Sequence, residues 1–481
     1  MLVNIKSFLI TGILSLLLCL NLNGQGNAIF DNAYVHIVKL TSLHASDWDS
    51  MVRRYTPKIY TPLKVEIDGT LLDSVGVRIK GNSFYPPTMG SNKYQPFRLK
   101  FGKFKSGRRF DGLKDVNLHM HDLLTNFLGY DIWRKCGLVA PRTSFAKVYF
   151  DNLYLGMYMF VDEVDKIFLD RHYGNDDGNL FKADEKMANL SWLGWDQTLY
   201  GAYTLETNED KNDKSDLIAF LYALHHTPEQ LLLDSLQVRL NMDAFFRSMA
   251  IEMFICKRDA FYDSGHNYFL YHHTETGRFE YIPWDLDNSF QSLDPFNLNF
   301  VTNSGMMGNP AIQKIMNVPA LKNYYYQCVC NLINSPACDP QRLLRLMDET
   351  EAFLRLNSLS FSQISGYSLA QVRTFISART NQIITDFGKY GFSCNPVNSV
   401  DKNLPVNSVS AYPNPCEDVL YIHGITPQDK MKYRIVDMKG RDRTAGNFKD
   451  PLNIAGLENG LFFLILQSQK GSTHILKFLK N

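Results

Sequence analysis

The 481-residue sequence has no excess of charge of either sign, because 50 lysine and arginine residues stand against 49 aspartate and glutamate residues and the formal net charge is +1. No charged field therefore points to nucleic acid or to a membrane surface, and we expect no nucleic-acid partner. The basic segment from Lys103 to Arg109 is typical of a solvated turn. After the N-terminus no apolar run is long enough to span a bilayer, so we expect no transmembrane segment in the mature chain.

Clear metal-binding signatures of cysteine and histidine are also lacking. The chain has eight cysteines, and the group Cys328, Cys330 and Cys338 has no further partner at the spacing of a zinc site. For this group we expect buried free thiols or a disulfide from Cys338 to Cys328 or Cys330. Loss of Cys19 with an N-terminal signal leaves seven cysteines, so at least one is a free thiol or bridges to another molecule. The run His119-Met-His121 lacks carboxylates at fixed spacing and predicts no metal site.

The first 25 residues have the pattern of a cleaved signal peptide. Lys6 supplies a positive charge, residues 8–20 form an almost continuous apolar core, and residues 21–25 are mostly polar or small. The apolar core is short for a membrane-spanning helix and suits a secretory signal. We therefore expect a signal peptide over residues 1–25 and an exported mature chain.

Residues 30–165 favour strands, with one helix among them. Strands are predicted over residues 34–38, 63–67, 74–79, 97–101, 144–150 and 153–161. The pair Asp68 and Gly69 predicts a tight turn between two of them. Apolar residues at helical spacing predict a helix from Leu123 to Lys135. Five or so antiparallel strands with one helix would form a small lobe.

Residues 166–392 are dominated by the helical period. Helices are predicted over residues 214–225, 228–233, 242–256, 310–315, 319–333, 340–354 and 369–390. Among them, the short apolar runs Tyr268–Tyr271 and Phe279–Pro283 predict a hairpin whose polar turn spans His273 to Gly277.

Three carboxylates and an amide stand at the ends of this hairpin. Asp259 and Asn267 precede its first strand, and Asp285 and Asp287 follow its second. Carboxylate and amide oxygens that converge on one point are ligands for a hard cation such as Mg²⁺, which usually also holds phosphate. If the second strand continues, Asp285 and Asp287 face the same side. The order of aspartate, asparagine, strand pair and aspartate is also that of protein kinases.

This segment resembles the CotH kinase family, named for spore coat protein H. The matching motifs run in the expected order: Val77-Arg-Ile-Lys-Gly-Asn-Ser83, Pro96-Phe-Arg-Leu-Lys100, Gly156-Met-Tyr-Met-Phe-Val-Asp-Glu-Val-Asp165, Asp259, His266-Asn-Tyr-Phe-Leu-Tyr271 and Pro283-Trp-Asp-Leu-Asp287. The resemblance implies a two-lobed atypical kinase domain over residues 30–392, with a strand-rich lobe to about residue 165 and a helix-rich lobe from about residue 166. Family members often carry a glycine shortly after the Asp-x-Asp motif, where this chain has Gln291.

The hairpin residues receive roles from the chemistry of phosphoryl transfer. Asp259 is expected to orient or deprotonate the acceptor hydroxyl. Asn267 and Asp285, with Asp287 as partner, are expected to bind Mg²⁺ or Mn²⁺.

The ATP cofactor also needs a cation near its phosphates. Lys100 lies on a predicted strand, and Arg78 and Lys80 precede Gly81, whose backbone could approach phosphate. Glu163 could pair with Lys100 by analogy to the Lys–Glu pair of kinases. The neighbouring carboxylates that compete for this part are Asp162 and Asp165.

Residues 393–408 read as a linker, and residues 409–481 as a small β-sandwich with strands predicted over residues 419–423, 432–437, 452–454, 460–466 and 473–478. This domain resembles the type IX secretion sorting domain through Tyr412-Pro-Asn-Pro415, Asp437-Met-Lys-Gly440, Leu457-Glu-Asn-Gly460 and Lys477-Phe-Leu-Lys480. The resemblance implies the type IX secretion machinery as a partner, and a location outside the cell or on the outer-membrane surface. An ordinary adhesion sandwich is the alternative.

The sequence therefore predicts an α+β protein, a two-lobed atypical protein-kinase-like domain followed by a small C-terminal β-sandwich. The expected function is transfer of the ATP γ-phosphate to a hydroxyl of a protein substrate, with a divalent metal. A non-catalytic surface protein on the same fold is one alternative, and Gln291 favours it. A nucleotidyl transferase, which uses the same acids with the triphosphate reversed, is another.

Overall fold

The computed structural model describes residues 25–81, 92–184, 187–257, 259–262, 265–291, 293, 309–357, 368–389, 391–394, 410–412, 416, 418–423, 431–437, 441–449, 451–468 and 473–480. Several predicted features lie outside these ranges: the signal peptide before Gln25, residues 82–83 after Gly81, linker residues 395–408, and residues 413–415 and 438–440 of the sorting-domain motifs. The chain forms two compact units, Met1–Pro396 and Val397–Asn481, and contains both helices and sheets, as expected for an α+β protein.

The N-terminal part of the first unit is a closed barrel of seven strands. In barrel order these are β1 (His36–Thr41), β2 (Thr61–Ile67), β3 (Thr70–Ile79), β4 (Phe97–Lys100), β5 (Asp115–His119), β7 (Leu153–Asp162) and β6 (Thr143–Phe150). The barrel closes because β1 pairs in parallel with β6, while the other neighbours are antiparallel. The expectation of about five antiparallel strands was therefore wrong in the number of strands and in the direction of one pairing.

Local turn chemistry builds the two longest hairpins of the barrel. Asp68 and Gly69 both have positive φ, 48° and 84°, and they join β2 to β3. Asp151 and Asn152 have φ of 46° and 68° and join β6 to β7 in the same way. Two residues of positive φ match the right-handed twist of the paired strands. The turn predicted at Asp68 and Gly69 is confirmed.

The second part of the first unit combines a four-stranded antiparallel sheet with helices. The sheet order is β11 (Arg278–Pro283), β10 (Tyr268–His273), β8 (Leu180–Ala183) and β9 (Tyr203–Leu205). The helices of the unit are α1 (Asp47–Arg53), α2 (Leu123–Lys135), α3 (Lys166–Tyr173), α4 (Ser215–His226), α5 (Glu229–Gln237), α6 (Met242–Phe254), α7 (Pro310–Met316), α8 (Pro319–Ile333), α9 (Pro340–Asn357) and α10 (Leu369–Lys389). The predicted hairpin is present as β10 and β11.

Two separate hydrophobic cores stabilise this unit. One fills the barrel, where Leu63, Val65 and Ile67 alternate along β2 with at most 1% of each exposed. The other joins α2, the helices after it and the four-stranded sheet, and includes fully buried Trp133 and Tyr130. Each buried aliphatic side chain contributes roughly 1.5–3 kcal/mol.

One disulfide joins Cys330, near the end of α8, to Cys394, with 5.1 Å between the Cα atoms and 64 residues of sequence separation. The predicted bridge from Cys338 to Cys328 or Cys330 is wrong, because Cys330 pairs with a residue that the chain brings back only after α10. Cys328 and Cys338 are buried free thiols. Among the described residues, no helix is both long enough and apolar enough to cross a bilayer.

The second unit contains two antiparallel sheets. The first has the order β12 (Ser410–Tyr412), β13 (Val419–His423) and β16 (Leu452–Asn453), and the second the order β15 (Asp442–Asn447), β14 (Met431–Asp437), β17 (Gly460–Ser468) and β18 (Thr473–Lys480). Leu420 from the first sheet and Ile435 and Leu464 from the second are fully buried in one hydrophobic core. Both sheets therefore contribute to the same core.

Candidate functional site

The β10–β11 hairpin brings Asn267 and Asp285 to the same end of the sheet. Tyr268 pairs with Pro283, so Asn267 and Trp284 stand opposite each other just beyond the strands, and the Trp284 amide donates to the Asn267 carbonyl at 3.2 Å. Asn267 and Asp285 both have positive φ, 61° and 50°. Such backbone conformations cost free energy for residues with a side chain and persist only where the surroundings hold them.

The strand geometry expected for the two aspartates is not what places them. β11 ends at Pro283, and the left-handed backbone at Asp285 turns the chain away from the strand direction. Asp285 and Asp287 are instead held by contacts to α2 and to the Asp259 loop. The prediction that they share one strand face was therefore wrong in its reason.

Four carboxylates crowd together at this end of the hairpin. Burial raises the pKa of Asp287 to about 9, and the charges of Asp285, Asp122 and Asp259 act in the same direction. Asn288 links two of them, because its side-chain amide nitrogen donates to Asp259 Oδ2 at 3.1 Å and to Asp287 Oδ1 at 3.3 Å. We call Asp122, Asp259, Asp285 and Asp287 the acidic cluster. The three aspartates predicted from the sequence, Asp259, Asp285 and Asp287, belong to it.

Asn267 joins the acidic cluster through the backbone of the Asp259 loop. Its side-chain amide donates to the Asp259 carbonyl at 3.2 Å, and its own amide nitrogen donates to the Ala183 carbonyl at 2.9 Å. Asn267 is thus fixed between β8 and the loop that carries Asp259.

Helix α2 is hydrogen-bonded to the loop that carries Asp285 and Asp287. The Leu286 amide donates to the Asn126 side-chain oxygen at 2.9 Å, and the Asp285 amide donates to the Tyr130 hydroxyl at 3.1 Å. These two side chains are four residues apart and therefore share a helix face. Between them, Gly129 leaves room for Leu286, because a Cβ at Gly129 would lie 2.9 Å from Leu286 Cδ1.

Asp122 stands immediately before α2 with φ of 45° and makes no side-chain cap bond to the helix. Its Oδ2 instead accepts from the Asn288 amide at 3.3 Å, and the side chain is nearly buried. Asp122, Asn126 and Tyr130 are site residues that the sequence reasoning missed. Their spacing of four residues along a correctly predicted helix was the available signal.

A buried lysine lies under the hairpin ends. The Lys257 ammonium donates to the carbonyls of Asn267 at 3.0 Å and Trp284 at 2.9 Å, and lies 3.8 Å from Glu252 Oε1. Both Lys257 and Glu252 are fully buried, and Glu252 also accepts from the Tyr281 hydroxyl at 2.6 Å. Sequence reasoning missed Lys257, because no local pattern distinguishes a buried lysine from a solvated one.

A cationic group faces the acidic cluster from the barrel. Lys80, half-buried just after β3, donates from Nζ to His119 Nε2 at 2.7 Å and lies 5.2 Å from the centre of the Trp284 ring. Burial lowers the pKa of Lys80 to about 7, against the opposing charges of Asp285 and Glu163. Burial also lowers the pKa of His119, and its Nδ1 lies 3.8 Å from Asp285 Oδ1. Lys80 is therefore the predicted cation that the fold places beside Asp285.

Glu163 does not form the expected pair with Lys100. Arg98 Nη2 lies 3.1 Å from Glu163 Oε1, and the Asn117 side-chain amide donates to Glu163 Oε2. Burial acts to raise the pKa of Glu163, but the Arg98 guanidinium and the Asn117 amide outweigh it and lower the pKa. Lys100, of which 41% of the side chain is exposed, lies 3.7 Å from Asp115 instead. Arg98 sits two residues before Lys100 on β4 and reaches Glu163 first.

The competing carboxylates next to Glu163 have other roles. Asp162 accepts from Arg142 Nε at 2.8 Å and also lies 2.5 Å from Arg171. Asp165 caps α3, where its side chain accepts from the Phe168 amide at 3.0 Å. Neither residue is paired with a lysine that faces the acidic cluster.

The two other predicted phosphate contacts lie at the end of β3. The Arg78 guanidinium lies 5.5 Å from the centre of the Tyr60 ring, and its charge contributes to the lowered pKa of Lys80. Gly81 has φ of 93°, and its carbonyl accepts a hydrogen bond from the Tyr55 hydroxyl. Arg78 is therefore close enough to Lys80 to influence it, whereas the contacts of Gly81 are to the barrel.

The acidic cluster consists of carboxylate oxygens, the donor type that Mg²⁺ prefers. Crowded carboxylates raise one another's pKa when nothing compensates their charge, and Mg²⁺ is usually bound by one or two carboxylates together with substrate phosphates. Over the parts of the chain that the structure describes, no three histidine, cysteine, aspartate or glutamate side chains are arranged to hold a metal by themselves. A cation here would therefore need oxygens from a bound phosphate to complete its coordination.

The chain with this fold and these residues belongs to a known class of protein. Residues 77–383, more than half of the chain, match the CotH kinase protein family, and the chain belongs to that family. Residues 410–481 match the secretion system C-terminal sorting domain. Inner spore coat protein H of Bacillus subtilis (strain 168) is 24% identical over 275 residues, which cover 55% of this chain and 70% of that protein. Both resemblances identified from the sequence are confirmed.

Proposed function

We propose that this protein is an exported atypical kinase that transfers the γ-phosphate of ATP to a hydroxyl group of a protein substrate. The observation that carries the proposal is the convergence of Asp259, Asp285 and Asp287 at one end of the β10–β11 hairpin, with Lys80 facing them from the barrel. Opposite charges on two facing parts of a fold suit a triphosphate, which needs cations along its oxygens and an acid–base group at its far end.

The two hydrophobic cores support a two-lobed domain. Arg98 lies on β4 and Lys80 directly follows β3 in the barrel, whereas α2 and the helix before Lys257 pack in the other core. ATP would bind between these two parts, as in other kinases, with its phosphates towards Lys80. The shared core of the two C-terminal sheets likewise supports a β-sandwich for residues 409–481.

Asp259 is the residue that we assign to the acceptor hydroxyl. Its Oδ2 accepts from the Asn288 side-chain amide, which orients the carboxylate. In the reaction the hydroxyl oxygen forms a bond to the γ-phosphorus, the bond from that phosphorus to the β–γ bridging oxygen breaks, and ADP leaves. The hydroxyl proton passes to Asp259.

Asn267 and Asp285, with Asp287 beside them, are the residues that would hold Mg²⁺ or Mn²⁺. The cation supplies neutralisation of the charge on the phosphate oxygens. The chain's contribution is orientation: Tyr130 and Asn126 fix the backbone at Asp285 and Leu286, and the Asp259 loop fixes Asn267. Lys80 contributes a donor for a phosphate oxygen.

The sorting-domain match at residues 410–481 supports export by the type IX secretion machinery. With the signal peptide predicted over residues 1–25, it supports a final location on the outer-membrane surface or in the medium. The bridge between Cys330 and Cys394 agrees with this route, since disulfides persist in oxidising surroundings.

The experiment that tests this function uses ATP labelled either at the α- or at the γ-phosphate. The purified full-length protein is incubated with each label, Mg²⁺ or Mn²⁺, and casein as an acceptor. We expect γ-label on casein or on the protein itself, and its loss in Asp285→Asn and Asp259→Asn. Asp243→Asn is the matched control, because Asp243 is an exposed helical acid that pairs with Arg247 and is not part of the acidic cluster.

Two outcomes would overturn the proposal. Transfer of α-label would establish nucleotidyl transfer. Absence of both labels from a folded wild-type protein would favour a non-catalytic surface protein, the alternative that Gln291 supports; here the Gln291 amide donates to Asn288 Oδ1 at 3.2 Å.

A further inference from the structure

The buried Lys257 side chain contacts the backbone at both ends of the β10–β11 hairpin. Its ammonium nitrogen donates to the carbonyl that enters β10, at Asn267, and to the carbonyl that leaves β11, at Trp284. The side chain is fully buried, and among the described residues its carboxylate neighbour within 4.0 Å is Glu252, also fully buried. Burying an ammonium group is costly unless several hydrogen bonds compensate. A structure that needed only to join two strands could do so with backbone bonds alone.

The two carbonyls belong to the backbone that sets the site. Asn267 itself has positive φ, and Trp284 is followed directly by Asp285, which also has positive φ. The Asn267 carbonyl accepts from Lys257 and from the Trp284 amide at 3.2 Å. Because Lys257 also donates to the Trp284 carbonyl, Lys257, Asn267 and Trp284 are all hydrogen-bonded to one another. Removing the ammonium group takes one donor from the Asn267 carbonyl, which keeps its bond from the Trp284 amide, and takes the Lys257 donor from the Trp284 carbonyl, directly before the positive-φ residue Asp285.

The charge of Lys257 also acts on the acidic cluster. Asp285, Asp287 and Asp259 all lie close enough for their charges to raise the pKa of Lys257 against the lowering effect of burial. The ammonium group contacts the backbone at both hairpin ends, and the whole Lys257 side chain is buried. Its place favours fixing the distance between side chains over binding a phosphate.

We propose that Lys257 is a positioning residue: its ammonium group locks the separation between the Asn267 and Asp285 side chains that the phosphate-transfer reaction requires. The proposal rests on the function proposed above, because it assigns Lys257 a part in that same site. A displacement of about 1 Å in such a site can lower a rate about a hundredfold.

Lys214 provides a matched control in the same unit. Its ammonium group also donates to two backbone carbonyls, those of Tyr200 at 2.8 Å and Tyr203 at 2.7 Å. Lys214 precedes α4 and is half-buried. Lys214→Met therefore removes the same kind of contact without touching the hairpin ends.

The test compares Lys257→Met, Lys257→Arg and Lys214→Met in the full-length protein at a temperature where each variant is folded. For Lys257→Met we expect kcat to fall about a hundredfold with the KM for ATP changed by less than about threefold. For Lys257→Arg, which keeps the charge and the donors, we expect kcat to be at least about tenfold higher than in Lys257→Met. Lys214→Met should keep kcat within about twofold.

Amide hydrogen exchange supplies a readout that does not depend on activity. We expect peptides over residues 265–270 and 283–288 to exchange at least about tenfold faster in Lys257→Met, and to be unchanged in Lys214→Met. If the wild type transfers no phosphate, the proposed function fails, and faster exchange at these two segments alone still establishes the hairpin lock. Unchanged exchange there, or a kcat within threefold of wild type, would overturn the proposal. If Lys257→Met does not fold, Lys257→Gln, whose side chain is shorter and uncharged, takes its place, and wild-type kcat in that variant would overturn the proposal.

Discussion

Asp287 is the carboxylate of the acidic cluster whose pKa is raised by burial and by its three acidic neighbours. Burial and the neighbouring charges raise its pKa from the ordinary value of 3.8 to about 9. The folded protein therefore binds more protons than the unfolded chain between these two pKa values. Stability falls as pH rises through that window, because the carboxylate is more easily ionised in the unfolded chain.

Replacing this carboxylate should make stability less sensitive to pH. In metal-free buffer we expect Asp287→Asn to melt at a higher temperature than wild type, with a difference that grows from pH 5 to pH 9 to about 2 °C or more. Differential scanning calorimetry at several pH values measures it. A difference that stays constant over this range would show that Asp287 is already ionised freely in the folded state.

Lys80 and Lys100 can be compared for their contribution to binding the phosphates of ATP. Lys80 faces Asp285, whereas Lys100 is partly exposed and 3.7 Å from Asp115. We expect Lys80→Met to raise the dissociation constant of a non-hydrolysable ATP analogue about tenfold or more, the typical worth of a charged hydrogen bond. Lys100→Met should change it by less than about twofold. Isothermal titration calorimetry measures both dissociation constants. A larger effect at Lys100 would show that Lys100, the residue that the sequence favoured, is the phosphate contact.

The sequence could not choose between these two lysines. Alternation on a strand shows which residues share a face, but not which end of a barrel is turned towards the ligand. The hairpin residues Asn267 and Asp285 were easier to place, because they adjoin strands whose turn was recognisable. Arg98 was passed over in favour of Lys100, although both lie on the same side of β4.

At the scale of elements, α2 links the barrel to the hairpin. It approaches Leu286 closely enough that a methyl group at Gly129 would press on Leu286 Cδ1 at 2.9 Å and on Leu286 Cβ at 3.3 Å. Leu286 lies between the two aspartates and is fully buried. A substitution that usually favours a helix should therefore displace the loop that carries them.

We expect Gly129→Ala to lower kcat for phosphate transfer about tenfold or more while the protein remains folded. The matched control is Gly388→Ala in α10, where nothing lies within 4 Å of the added methyl group. At that position alanine should raise stability by up to about 1 kcal/mol through its helix propensity. Thermal melting and steady-state kinetics on both variants provide the comparison. Wild-type kcat in Gly129→Ala would show that Leu286 can move without moving its neighbours.

Elements with strong local signals were predicted closely. The bounds of α2 and α8 are those expected, since α2 has regular apolar spacing and α8 begins with Pro319 at a position where its missing N–H costs nothing. Strand β5 was missed because Asp115-Val-Asn-Leu-His119 is short and flanked by polar residues. Strands β8 and β9, of four and three residues, were missed for the same reason.

At the scale of the whole molecule, the closure of the barrel was beyond local patterns. β1 pairs with β6 across more than one hundred residues, with His36 opposite Ala146 and Leu40 opposite Phe150. Pairings of this length depend on which strands the completed fold brings together, and composition does not encode them. The same holds for the partner of Cys330, which lies beyond α10.

The disulfide should stabilise the first unit as a whole. It closes a loop of 64 residues, for which the chain-entropy model predicts about 4 kcal/mol and measured cases give about 2–4 kcal/mol. We expect the variant Cys330→Ala with Cys394→Ala to lose stability in this range in urea unfolding, and to become insensitive to reducing agent. Wild type that unfolds identically with and without reducing agent would contradict the bridge. A truncated catalytic unit should therefore end after Cys394, not at Phe392.

We propose above that the acidic cluster binds a divalent cation together with the phosphates of ATP. Electron paramagnetic resonance of Mn²⁺ tests it directly, because the signal of free Mn²⁺ falls as the ion binds. With a non-hydrolysable ATP analogue present, we expect wild type to bind Mn²⁺ at least about tenfold more tightly than Asp285→Asn. Equal binding by the two proteins, or a free Mn²⁺ signal that wild type leaves unchanged, would contradict the account.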